Sequence, residues 1–284
     1  MIATTTIPLG DLGFTVDQAG PEDGDPVLML HGFPQSRRAW TGQLATLAAA
    51  GYRGVAPDQR GYSAGARPAG IEPYATANLV GDALRLMDAL GHESFHLVGH
   101  DWGGQLAWLI ATRHAPQRVK SLLVLSRPHP AAFARAFEQD AAQAARSGHH
   151  KALQDDSTAV AIRADDFAGF RKMFEGQRVP AATAQAYIDT LSPPGALEAA
   201  IAWYRAGGAA SLRARDIPPA PQRTLYAWGD ADATVGRMAA EATADFVTGP
   251  YRFEAIPGAG HFLTDEVPEA VNRLLLAHLA GGAA

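Results

Sequence analysis

At 284 residues, 47% hydrophobic and 19% charged, the chain can fill one core domain with a sizeable insertion and is too apolar to be disordered. A net charge of −5 supplies no basic field, so neither nucleic acid nor an anionic membrane is expected as a partner. With no cysteine, disulfides, Cys-zinc sites and thiol nucleophiles are excluded; with no signal-peptide pattern and no apolar run of roughly 18 residues, the expectation is a cytoplasmic protein.

In chain order, residues 27–30 read as a short buried strand, closed by the turn His31-Gly32-Phe33-Pro34. Further strands are predicted at 52–56, 94–98 and 122–125, with helical patterns between them at 40–50, 75–90 and 103–114. Strand and helix in alternation predict a mostly parallel central sheet with helices on both faces. From about 130 to 215 the pattern turns helical, rich in Ala, Arg and Gln, with no convincing buried strand. Strands resume at 223–228 and 251–256, and a helix covers 268–279. The fold class is therefore α/β, with an inserted helical cap: core at 1–128, cap at 129–218, core again at 219–284.

The strand ending at Val98 runs into Gly99-His100-Asp101-Trp102-Gly103-Gly104 and then a helix. This is the nucleophile-elbow pattern G-x-Nuc-x-G, with Asp101 at the nucleophile position. The turn is too tight for large side chains at its flanks, hence the glycines. The helix N-terminus favours an ionised carboxylate. A serine attacking an sp³ carbon would form an inert ether, whereas a carboxylate forms an alkyl ester that water can cleave. Asp101 thus points away from ester and peptide hydrolysis and toward epoxide opening or halide displacement.

Hydrolysis of that ester needs a base, and His261 sits on the Gly-rich loop Pro257-Gly258-Ala259-Gly260-His261 after the last strand. Asp230 and Asp232, at the C-terminal end of strand 223–228, can orient it. An oxyanion hole would use the backbone N–H groups of Trp102 and Phe33, since Pro34 has none. His31, His96 and His100 read as packing residues. Asp58 and Arg60 read as a loop-fixing pair.

Taken together, His31 to Pro34, Asp58 to Ser63, Gly99 to Gly104, Gly229 to Asp232 and Gly260-His261-Phe262 resemble the epoxide hydrolases of the α/β-hydrolase superfamily, in its aspartate-nucleophile branch. The resemblance runs from about residue 25 to the C-terminus. It implies the α/β-hydrolase fold and the chain order nucleophile, acid, histidine. Its spacing selects Asp232 as the acid and leaves Asp230 a turn role. The family's other acid position, after strand 122–125, reads Ser126-Arg127-Pro128 and holds no carboxylate.

The resemblance also implies two lid tyrosines that donate to the oxygen of the opening epoxide. Tyr204 is the candidate for the second. No tyrosine lies between Tyr74 and Tyr187, so His149, with His150 beside it, is the candidate for the first. The expected substrate is a small epoxide, which water converts to a vicinal diol without cofactor or metal. The alternative is a haloalkane or haloacid dehalogenase with the same triad. Against it, Phe33 offers no side-chain donor for a halide, and Trp102 stands where fluoroacetate-type enzymes carry Arg. A silent binding protein on the same fold is a third reading, disfavoured because all three triad residues are present. The oligomeric state is left open and is compatible with a homodimer.

Overall fold

The structure, a computed structural model, describes residues 1–208, 212 and 214–281. Eight strands form one sheet in the order β1-β2-β4-β3-β5-β6-β7-β8. They are β1 (Ala3–Leu9), β2 (Leu12–Ala19), β3 (Pro26–Leu30), β4 (Arg53–Pro57), β5 (Phe95–His100), β6 (Val119–Leu125), β7 (Thr224–Gly229) and β8 (Tyr251–Ile256). β1 pairs antiparallel with β2, and β2 with β4; every pair from β4 to β8 is parallel. All residues of β3, β5 and β7 are buried. Continuous apolar runs belong to strands covered on both faces.

The N-terminal hairpin β1–β2 is not among the predicted strands. β1 is mostly exposed and Thr-rich, so it carries no buried run. Its legible signal was the β-branched series Thr4-Thr5-Thr6-Ile7 before Gly10, which turns the chain with φ +64°.

Helices α1 (Thr41–Ala49), α2 (Thr76–Ala89) and α3 (Trp102–Leu109) connect the parallel strands; α3 runs on as a wider π-helical turn through Ile110–His114. From β3 the chain crosses outward to β4, then back over to β5 and onward to β6. Right-handed crossovers in opposite directions put α1 and α2 on opposite faces. The strand order reverses between β3 and β5, and a crevice opens above their C-terminal ends, the place where open α/β sheets bind ligands. The loops after β3 and β5 carry Phe33 and Asp101 into it.

Between β6 and β7 lie α4 (Pro130–Gln139), α5 (Ala141–Arg146), α6 (His149–Ala152), α7 (Thr158–Gly176), α8 (Ala181–Leu191) and α9 (Ala196–Trp203). α7 is broken near Asp165, Asp166 and Phe167, which all take positive φ. After α9 the chain winds once more as a π turn, Tyr204–Gly208. This block is tied to the sheet domain at several points. Trp203 Nε1 donates to the Arg60 carbonyl at 2.9 Å. The hydroxyl of Tyr187 in α8 donates to Asp265 at 2.9 Å. Gly61 backs onto the Ala199 carbonyl, where a Cβ would sit 3.1 Å from the oxygen. The chain closes with α10 (Arg237–Glu241), α11 (Leu263–Glu266) and α12 (Pro268–Leu279). Among the described residues no helix is long and apolar enough to cross a membrane.

Candidate active site

β5 ends at His100 and α3 starts at Trp102, so Asp101 alone makes the turn, with φ 51° and ψ −118°. A non-glycine residue there is strained by about 1–3 kcal/mol and persists only where its surroundings fix it. The surroundings are glycines under backbone pressure. A Cβ on Gly103 would stand 1.9 Å from the Leu30 carbonyl oxygen, and one on Gly99 2.4 Å from that of Gly103. A Cβ on Gly32 would stand 2.3 Å from Asp101 Oδ1. The same closeness lets the Phe33 N–H donate to Asp101 Oδ1 at 2.9 Å. The Trp102 N–H, next along the chain, also favours the charged form of this carboxylate.

His261 comes from the loop after β8. Glu266, in α11, holds that loop by accepting from the Gly260 N–H at 2.9 Å and the Phe262 N–H at 3.0 Å. His261 Nε2 lies 3.6 Å from Asp101 Oδ2, and Nδ1 lies 2.8 Å from Asp232 Oδ2. Asp232 Oδ1 accepts from the N–H of Thr234 at 2.7 Å, its hydroxyl at 2.8 Å and the Val235 N–H at 3.1 Å. Asp230 instead accepts from the Gly258 N–H at 2.6 Å, joining the loops after β7 and β8. The two aspartates thus divide, one facing the histidine and one bracing a turn.

Burial works against charge at all three residues, and mutual attraction outweighs it. Burial would lower the His261 pKa, but Asp232 and Asp101 push it up to about 10. Burial would raise the Asp101 pKa, but the facing His261 imidazolium holds it well below the usual carboxylate range. Asp232 is likewise lowered against burial by His261 and Thr234. All three shifts favour an imidazolium held between two carboxylates.

Asp101 faces a mainly apolar cavity of about 370 Å³ that also meets Phe33, Phe170, Tyr204, His149 and His261. Tyr204 is buried, and its ring stands edge-on to Phe33 and Trp102, with centroids 5.4 and 5.1 Å away. Burial, reinforced by the Asp101 charge, pushes its phenol pKa well above 10, so it keeps its proton. His149 reaches the cavity too, but its Nδ1 points at the Arg146 carbonyl, 3.2 Å away. With the proton on Nδ1, Nε2 of the neutral ring accepts and does not donate. Burial lowers the His149 pKa, so the donating cation is disfavoured. His150 is buried against Tyr204, 5.1 Å between centroids, and burial lowers its pKa to about 3.

Three further residues serve the site through contacts between loops far apart in sequence. His100 and the Ser126 hydroxyl both donate to the His261 carbonyl, at 2.8 and 2.9 Å. Thr234 touches both Asp232 and His261 Nδ1. The position of His100 beside Asp101 was the one available signal; Ser126 and Thr234 had none. One expectation is corrected. Asp58 and Arg60 are not each other's partners: Asp58 pairs with Arg37, and Arg60 forms a two-pronged bond to Asp82 at 2.6 and 2.8 Å. Sequence proximity suggested the pair, but the turn sends the two side chains apart. His31 is fully buried, accepts from the Gln59 N–H and packs on Tyr62.

The sequence profile described as the alpha/beta hydrolase fold matches residues 25–268, a span that includes Asp101, Asp232 and His261. The chain belongs to the α/β-hydrolase family. Within the family it sits on the epoxide hydrolase branch. It is 32% identical to epoxide hydrolase 4 of Mus musculus, over 92% of this chain and 75% of that one. It is 33% identical to epoxide hydrolase A of Mycobacterium tuberculosis, over 94% of each. Among solved structures, a variant of the Bacillus megaterium epoxide hydrolase complexed with a naphthyloxy-propanediol product superposes with a TM-score of 0.88, at 25% identity over 97% of this chain and all of the other.

Proposed function

We propose that this α/β-hydrolase converts an epoxide to a vicinal diol through an alkyl ester on Asp101. The observation that carries the reading is the Asp101 carboxylate, with one oxygen on the Phe33 N–H and the other beside a His261–Asp232 pair, in a cavity that also holds the Tyr204 phenol. Residues 129–218 act as the cap that supplies Tyr204 and His149.

Asp101 Oδ2 attacks a ring carbon, the carbon–oxygen bond breaks, and the leaving oxygen takes the Tyr204 proton. Esterification removes the carboxylate charge that helped keep His261 protonated. Its pKa falls, and the proton it sheds replaces the one Tyr204 gave. Neutral His261, oriented by Asp232, then takes a proton from water as the water attacks the Asp101 carboxyl carbon. The N–H groups of Phe33 and Trp102 hold the oxyanion. Collapse expels the second alkoxide, which takes the remaining water proton from the carboxyl group, and the imidazolium–carboxylate pair is restored. His149 contributes to the first step only as its cation, so Tyr204 carries the larger share. Against the halide reading, the Phe33 side chain has no donor to offer a leaving halide, and its N–H is committed to Asp101 Oδ1.

A single turnover in heavy-oxygen water tests the covalent route. The diol should leave unlabelled while one heavy oxygen enters Asp101. Label appearing directly in the first-turnover diol would overturn it.

A further inference from the structure

Arg127, on the loop after β6, is 7% exposed. A buried guanidinium normally has a carboxylate against it, because desolvating an unpaired charge is costly. Arg127 has a neutral partner instead: Nε and Nη2 both donate to Gln105 Oε1, at 3.0 and 2.8 Å. Its guanidinium carbon lies 4.4 Å over the Phe133 ring. Nη1 finds no acceptor among the described residues. The loop is held under strain, with Ser126 at φ 52°, and Trp108 Nε1 clasps the Arg127 carbonyl at 2.9 Å. The side chain is therefore fixed, charged and incompletely used.

It lines a recess of about 10 Å³ that opens beside the reacting carboxylate, together with Asp101, Ser126, His149, Thr234 and His261. That space takes one oxygen atom and no alkyl group or ring. The larger apolar cavity, which shares Asp101, His149, Thr234 and His261 with the recess, takes the rest of a substrate. Charge points the same way. Asp101, Asp232 and the His261 imidazolium alone would leave the site singly negative and repel an anion. Arg127 brings it to neutrality.

We propose that Arg127 is a specificity determinant that receives one oxygen of a substrate carboxylate, so that the preferred substrates are epoxy acids with the carboxylate on a ring carbon and an apolar group beyond it. This rests on the epoxide-opening reading above and narrows it. In the productive pose the carboxylate oxygen enters the recess, the apolar substituent fills the larger cavity, and the ring oxygen faces Tyr204.

The test compares 3-phenylglycidate with its neutral isostere 3-phenylglycidamide, on the whole enzyme. Wild type should turn over the carboxylate with kcat/KM at least about tenfold above the amide, the size expected of a hydrogen bond to a charged group. Arg127→Gln should collapse that ratio at least about tenfold, and Arg127→Lys should restore part of it. A wild-type preference for the amide, or an unchanged ratio in Arg127→Gln, overturns the proposal. Calorimetry with benzoate and benzamide reads the recess without turnover, and on wild type alone if the variant fails to fold. Benzoate binding at least about tenfold tighter is expected, and equal binding overturns the proposal. Failure of the parent reading looks different: no epoxide, styrene oxide included, is consumed faster by wild type than by Asp101→Asn, whatever benzoate does.

Discussion

Tyr204 and His149 reach the same cavity but are not equivalent acids. The Tyr204 phenol is held protonated by burial and by the Asp101 charge, whereas His149 already directs Nδ1 at the Arg146 carbonyl. Tyr204→Phe should lower kcat for epoxide opening by about a hundredfold. His149→Ala should cost less than about tenfold. Steady-state kinetics on styrene oxide check this, and equal losses would make His149 a full second donor. The sequence made Asp101, Asp232 and His261 legible because each follows a strand and sits in a loop marked by glycine or a tight turn. It left Ser126 and Thr234 unread, because their roles are contacts to the His261 loop across more than 25 residues of chain. Arg127 was read only as a missing carboxylate; its use of Gln105 as partner required the packing of α3 against the loop after β6.

At the scale of elements, the site depends on how closely β3, the elbow and α3 approach. The interval between β5 and α3 is one residue because Gly103 lets the helix lie on the Leu30 carbonyl. Gly103→Ala puts a methyl carbon 1.9 Å from that oxygen and must push the helix off the sheet. A loss of about 3 kcal/mol or more in chemical denaturation is expected, at the upper end of overpacking penalties. Gly169→Ala, where a Cβ meets nothing within 4 Å, is the matched control and should be near neutral. Buried strands and amphipathic helices were readable from periodicity, to within two or three residues at their ends. The hairpin β1–β2 escaped because an exposed edge needs no apolar run. The arrangement of the helices between β6 and β7 escaped because α7, α8 and α9 lack a sharp apolar face, and their seats on the sheet domain are set by single contacts such as Tyr187 to Asp265.

Across the whole molecule, the buried charges tie stability to pH. His261 has a folded pKa of about 10, above its unfolded value near 6.5. The stabilisation it brings is complete below about pH 6.5 and is lost as pH rises through about 10. Part of it comes from the charge of Asp101. Denaturation midpoints should therefore fall between pH 6.5 and 9, and fall less steeply in Asp101→Asn. Parallel slopes would mean that the two groups are not coupled. In the proposed mechanism the same coupling makes the ester intermediate self-activating, since losing the Asp101 charge releases the base that the next step needs. His261→Gln removes that base and should leave the ester stranded. Incubated with styrene oxide, this variant should gain the mass of one substrate, located on the peptide that contains Asp101. No adduct, or an adduct that persists in the Asp101→Asn, His261→Gln double variant, would contradict the account.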